Sequence, residues 1–244
     1  MFASEGFDVV LVARREERLR AVASQVEQRH SVRAHVLVSD LARRDAVTDL
    51  IADLSQRGLT IDALVNNAGY GVPGVFVASE WERHDAMLQV MLVSVCELTH
   101  ALLPGMTARG YGRILNIASL AGLVPAPAGH TLYAAVKAFL IKFSESLAHE
   151  ARARGVHVTA LCPGFTFSEF HDVTGTRDKV SRLPTFMWSD ADEVARASYD
   201  AVMAGIPVFV PGRVNRALAV LARGLPKSLV MMAMRGTAGR YRKT

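Results

Sequence analysis

Residues 113–137 read RILNIASLAGLVPAPAGHTLYAAVK, and two pieces of this stretch organise the rest of the chain. RILNIA (113–118) is a strand-length run, apolar on both faces, as strands of a covered parallel sheet are. Ser119 follows it directly. YAAVK (133–137) lies in a stretch of helical period, where Tyr133 and Lys137, four residues apart, share one face. An ammonium beside a phenol favours the phenolate, so the pair predicts a Tyr133 pKa below the ordinary value of about 10. A tyrosine tuned in this way can give or take a proton near neutral pH. Tyr and Lys also meet at this spacing by chance on many helices, so the pair alone leaves a surface contact as the competing reading.

Outward from this stretch the same alternation recurs. Apolar runs at 7–13 (FDVVLVA), 33–38 (RAHVLV), 61–66 (IDALVN), 113–118, 156–162 (VHVTALC) and 207–210 (PVFV) predict six strands. Helical patterns at 16–28, 43–56, 79–108, 133–154 and 190–203 separate them, and Gly6, Gly58, Gly110 and Gly155 stand where helix C-caps belong. Strict βα alternation predicts an α/β fold, a Rossmann-like doubly wound parallel sheet in three α/β/α layers. Residues 1–212 read as one domain and 213–244 as a basic helical tail. Residues 1–5 read as the last turn of a helix with no strand before it, so the domain is expected to be N-terminally truncated.

The chain has 244 residues, half of them hydrophobic and 21% charged, which excludes a disordered or fibrous protein. Its net charge of +5 is uneven: residues 213–244 hold eight basic residues and no acidic one, leaving 20 basic and 23 acidic residues in the body. That distribution argues against a nucleic-acid binder, whose body would be basic. Cys96 and Cys162 are too isolated for a disulfide framework or a thiolate metal site, and no metal is expected. No apolar run is read as approaching the roughly 18 residues of a membrane span. With no leader pattern at the N-terminus, a cytoplasmic protein is expected.

Four features recur together: LVNNAG (64–69) ending one strand, Ser119 ending the next, YAAVK, and Pro163-Gly164 after the following strand. In their order and near-spacing the chain resembles the short-chain dehydrogenase/reductase family. The resemblance implies that Tyr133 is the acid/base of a carbonyl–alcohol interconversion and that Ser119 hydrogen-bonds the reacting oxygen. Lys137 would bind the nicotinamide ribose and depress the Tyr133 pKa. Asn66, Ala68 and Gly69 would line the adenine and ribose side, with Asp40 near the adenine. Pro163, Gly164 and Ser168 would pass over the nicotinamide. Gly69, Gly71 and Gly74 also spell GxGxxG, but Pro73 interrupts it and no helix opens there, so a turn is expected.

Two departures from the family stand out. The TGxxxGxG loop and the strand before it are absent from this sequence, so a form longer by about 25 residues (one strand, one turn and most of a helix) is expected to be more soluble and to bind NADPH more tightly. Met91 stands where the family helix usually carries Asn, and a thioether cannot replace an amide in a proton relay; Ser94, almost a turn on, is the one candidate substitute. Arg14 and Arg15 follow the first strand, where no Asp or Glu stands to bind a ribose 2′-hydroxyl, and an Arg at that place suits a 2′-phosphate and points to NADP. Phe165, Phe167, Phe170, Phe186, Met187 and Trp188, flanked by His130 and His171, suggest a substrate mouth for an apolar or acyl ketone, or plain lid packing. The tail, with Val214, Leu218, Leu221, Leu225, Leu229 and Met232 at helical spacing, could lie on anionic lipid or pack on the sheet or on a second subunit of a homo-oligomer. The leading expectation is an NADP-linked oxidoreductase, and the competing one is a cofactor-free remnant or binding module on the same fold.

Overall fold

The computed structural model describes residues 1–126, 129, 131–168 and 184–224. The readings of His130, Phe170, His171, the Phe186 side chain, Leu225, Leu229 and Met232 lie outside the described residues. The chain divides into two compact units, residues 1–61 and 62–244.

In the first unit a short turn, Ala3–Glu5, stops at Gly6. Then follow β1 (Val9–Ala13), α1 (Glu16–His30), β2 (Ala34–Val38) and α2 (Ala46–Gln56). The strands are parallel, with Val9 opposite Ala34 and Ala13 opposite Val38. The α1 helix has Glu16 and Glu17 in its first turn and Arg29 and His30 in its last, the charge order its dipole favours. Its Leu19 and Ala23 are buried, as is Leu37 of β2. At the strand entrances the Asp8 carboxylate accepts hydrogen bonds from the Arg33 backbone N–H at 2.8 Å and from Arg33 Nε at 2.9 Å. Helix α2 starts three residues later than its sequence pattern, because residues 40–45 are used in a turn. There Asp40 accepts from Ala42 N through Oδ1 and from Arg43 N through its carbonyl, both at 3.0 Å.

The second unit runs β3 (Ala63–Asn66), α3 (Trp81–Leu88), a π-helical turn (Gln89–Val93), α4 (Ser94–Arg109), β4 (Gly112–Ile117), α5 (Thr131–Ala151), β5 (Val156–Leu161), β6 (Phe165–Thr166), β7 (Trp188–Ser189), α6 (Ala191–Met203), β8 (Val208–Phe209) and α7 (Arg213–Gly224). Its sheet has the order β3-β4-β5-β8 with every pairing parallel. All six predicted strands are present, and the layout is the expected parallel-sheet, Rossmann-like α/β fold. The two-residue pair β6–β7 was not predicted. Gly6, Gly58, Gly110 and Gly155 all have left-handed φ, between 63° and 87°, as the cap reading requires. Asp190 caps α6, its carboxylate accepting from Asp192 N at 2.8 Å.

The core of this unit joins Val95 of α4, Ala118, Leu140 and Ile141 of α5, and Ala160 and Cys162 at β5, all 5% exposed or less. Fully burying a Leu or Ile contributes roughly 1.5–3 kcal/mol, so α5 is held mainly by this face. One expectation is corrected here. The helical stretch Trp81–Arg109 is 29 residues long and contains an 18-residue window with a mean hydropathy of 1.7, long and apolar enough to cross a membrane by length and composition. Glu97, Thr99 and His100 break its apolar run in the sequence, but the helix continues through them. Met87, Met91, Val95 and Met106 on it are buried against the rest of the fold.

Candidate active site

The carboxyl end of β4 delivers Ser119 as the N-cap of a short turn, Leu120–Gly122, where its Oγ accepts from Ala121 N at 3.2 Å. The backbone of the same turn is bonded to the turn after β5: Leu120 N donates to the Pro163 carbonyl at 2.9 Å. The turn also lies flat on α5. A Cβ on Gly122 would sit 2.6 Å from the backbone carbonyl carbon of Lys137, so only glycine allows this approach. Ser119, the Pro163-Gly164 turn and the Lys137 backbone are thereby brought together.

On α5, Lys137 is 5% exposed, and its Nζ donates to the Ile117 carbonyl at the end of β4 over 2.5 Å. The ammonium lies 5.6 Å from the centroid of the Tyr133 ring. Burial pulls the Lys137 pKa down to about 8, against an opposing pull from Cys162. The expected lowering of Tyr133 is corrected: burial pushes its pKa above the ordinary value, and a hydrogen bond from Ser119 opposes this only in part. The ammonium over the ring is turned to a backbone carbonyl, and its own charge is weakened by burial. Desolvation of the phenol therefore dominates.

The end of β3 carries a buried polar chain that crosses the sheet. Asn66 Nδ2 donates to Asn116 Oδ1 at 2.8 Å, Asn116 Nδ2 to Ser144 Oγ at 2.9 Å, and Ser144 Oγ to the Leu140 carbonyl at 2.6 Å. It ties β3, β4 and α5 into one register. Beyond it Met91 fills the space over Gly69, where a Cβ would lie 3.3 Å from Met91 Cε. The Ser94 hydroxyl donates to the Gln89 carbonyl at 2.9 Å and closes the π-helical turn. After Gly74 comes only the three-residue turn Phe76–Ala78, so the GxGxxG at 69–74 opens no α-helix.

A small cleft of about 10 Å³, room for about one water molecule, opens on Tyr133 and is lined by Val72, Gly74, Phe76, His84, Met87, Thr131 and Leu132. His84 and Leu132 were not singled out in the sequence, where nothing marks a histidine on α3 as facing a cleft. Asn215 was missed as well. It is buried on α7, donates to the Pro211 carbonyl at 3.1 Å, and its Oδ1 stands where a Cβ on Gly164 would run into it. The Pro163-Gly164 turn is therefore packed against the last described helix. After it Phe167 stacks on Trp188 at 4.7 Å, and Ser168 is exposed.

In the first unit, Arg14 and Asp40 follow the carboxyl ends of β1 and β2. The side chains form an ion pair at 3.9 Å, with Arg14 70% exposed. Arg15 is the residue before α1, at its N-cap, without a side-chain capping bond.

A family model described as short chain dehydrogenase matches residues 1–178. The chain is similar to the very-long-chain 3-oxoacyl-CoA reductase of Anas platyrhynchos, 35% identical over 176 residues, which cover 70% of this chain and 56% of that one. It therefore spans little more than half the length of that relative. It is similar also to sulfoacetaldehyde reductase 2 of Chromohalobacter salexigens, 36% identical over 174 residues, covering 69% of this chain and 67% of that one. Among solved structures, a short-chain dehydrogenase from Sphingobium yanoikuyae in complex with NADPH superimposes with a TM-score of 0.79 at 28% identity, covering 93% of this chain and 90% of that one.

Proposed function

The chain belongs to the short-chain dehydrogenase family, and from that premise we propose that it is an NADP(H)-linked oxidoreductase that reduces the carbonyl of an apolar or acyl compound. The observation that carries this reading is the gathering of Ser119, Tyr133 and Lys137 by β4 and α5 beside a cleft that opens on Tyr133. The names of the two relatives, one a reductase of 3-oxoacyl-CoA and the other of sulfoacetaldehyde, support reduction of a carbonyl.

The donor set fits the nicotinamide–ribose half of such a nucleotide. Lys137 has three N–H groups and a single acceptor, Ile117 O, among the described residues, leaving donors for a ribose diol. A bound reduced nicotinamide would supply a hydride to the carbonyl carbon. Tyr133 then gives its hydroxyl proton to the carbonyl oxygen as charge builds there, and Ser119 holds that oxygen by a hydrogen bond. Burial holds Tyr133 above its ordinary pKa, so it keeps the proton that it gives to the carbonyl oxygen. Arg14 and Arg15 would meet a 2′-phosphate. Arg14 is exposed and only loosely paired with Asp40, so engaging a phosphate costs it little desolvation. The tail helix α7 leaves Val214, Leu218 and Leu221 exposed, which supports a contact of this helix with lipid or with a second subunit.

Titration with NADPH and NADH, read by nucleotide fluorescence, and assays of Tyr133→Phe on a reduced ketone test the proposal. NADPH should bind more tightly, and Tyr133→Phe should lose turnover while keeping nucleotide affinity. Equal affinity for the two nucleotides sinks the cofactor assignment, and a Tyr133→Phe enzyme at near wild-type rate sinks the role of Tyr133. Met91 packed over Gly69 favours a second reading, a binding module without cofactor; failure to bind either nucleotide would support it.

A further inference from the structure

Asn215 is 6% exposed on α7, one turn before the equally buried Ala219. Packing alone would favour another small apolar side chain at this place, because an amide costs more to bury than a methyl group. The amide is seated between two glycines. Its Nδ2 donates to the Pro211 carbonyl at 3.1 Å, and a Cβ on Gly212 would come within 3.3 Å of that nitrogen. On the other side a Cβ on Gly164 would meet Oδ1 at 2.4 Å, and Cγ and Nδ2 both at 2.8 Å. These three atoms are the nearest that such a Cβ would find beyond its chain neighbours. Gly164 does not have the left-handed φ that would by itself demand glycine. What excludes a side chain at 164 is therefore the Asn215 amide. The same turn is also held from the side of Ser119, where the Pro163 carbonyl accepts from Leu120 N at 2.9 Å.

We propose that Asn215 is a positioning residue, whose amide fixes the Pro163-Gly164 turn for contact with the nicotinamide of a bound nucleotide. This role rests on the reading of the chain as an NADP(H)-linked reductase. A turn already fixed from both sides loses little freedom when the nucleotide binds. A turn released from α7 must be ordered by the nucleotide itself, which weakens binding. The weakening is confined to nucleotides that carry a nicotinamide, because that is the only part of the ligand the turn serves.

The test compares the wild type with Asn215→Ala, Gly164→Ala and the double variant. The probes are NADPH and 2′-phospho-ADP-ribose, which lacks only the nicotinamide, titrated by calorimetry. Asn215→Ala should weaken NADPH binding about tenfold, the cost of ordering one backbone residue, and leave 2′-phospho-ADP-ribose unchanged. Thermal melts without nucleotide supply the second readout. Gly164→Ala should lower Tm in the presence of Asn215 and lower it much less in the Asn215→Ala background, where the new methyl takes the space of the missing amide. The double variant should also bind NADPH more tightly than either single variant, which keeps the comparison open if one of them folds poorly. Equal losses for the two probes, or no loss for either, overturn the proposal. So does a Gly164→Ala penalty that Asn215→Ala does not reduce. These failures are distinct from failure of the reductase reading, in which the wild type itself binds neither probe and the nicotinamide role falls with it.

Discussion

Lys137 is the residue whose burial has the clearest thermodynamic signature. Its folded-state pKa of about 8 lies below the ordinary 10.5, so below pH 8 the fold holds an ammonium that would be better solvated in the unfolded chain. Between pH 8 and 10.5 the unfolded state binds the extra proton, and stability therefore rises with pH across that window, by roughly 3 kcal/mol. Lys137→Met has nothing to titrate there. Urea unfolding at half-unit steps from pH 7 to 10.5 should show the variant gaining on the wild type at low pH and losing that advantage as pH rises. Parallel profiles would mean that Lys137 is not held in this state. Tyr133 teaches the complementary lesson. The sequence shows that a lysine comes within reach of it, but not that Lys137 spends a hydrogen bond on Ile117 or that burial outweighs the cation.

At the scale of elements, the strands were legible because Val, Ile and Leu runs of five or six residues have few other uses, and the glycines mark where helices stop. The π-helical turn Gln89–Val93 was not legible. It depends on Ser94 reaching back to the Gln89 carbonyl and on Met91 finding room over Gly69, both consequences of packing. The pair β6–β7 escaped for a similar reason: two residues, Phe165 and Thr166, carry no periodicity and are paired only through Trp188 and Ser189. The turn makes its own prediction. Met91, 1% exposed, should tolerate Leu at a cost below about 1.5 kcal/mol. Met91→Asn, the amide of the family pattern, buries a polar group among apolar neighbours and should cost about 1–3 kcal/mol. Thermal melts of the two variants decide it, and equal melting temperatures would show that the site is more open or more polar than described.

At the scale of the molecule the two units are stitched unequally. In the second, β4 is paired on both sides, to β3 and β5, and β5 to β4 and β8. In the first, among the described residues, β1 and β2 pair only with each other, and Val12 and Val38 are 37% and 52% exposed. A two-stranded sheet is marginal by itself, so hydrogen exchange should show β4 and β5 amides exchanging at least tenfold more slowly than those of β1 and β2. Uniform protection would show one cooperative body. The placement of the two tryptophans adds an optical consequence. Trp81 is 55% exposed with its ring 6.2 Å from that of His84, whereas Trp188 is half-buried and stacked on Phe167, which lies just beyond the Pro163-Gly164 turn. Their emission bands should differ in colour, Trp81 to the red and Trp188 to the blue. Single-tryptophan variants then turn the protein into a two-channel clock, in which events beside His84 and events beside Phe167 can be timed in separate stopped-flow traces.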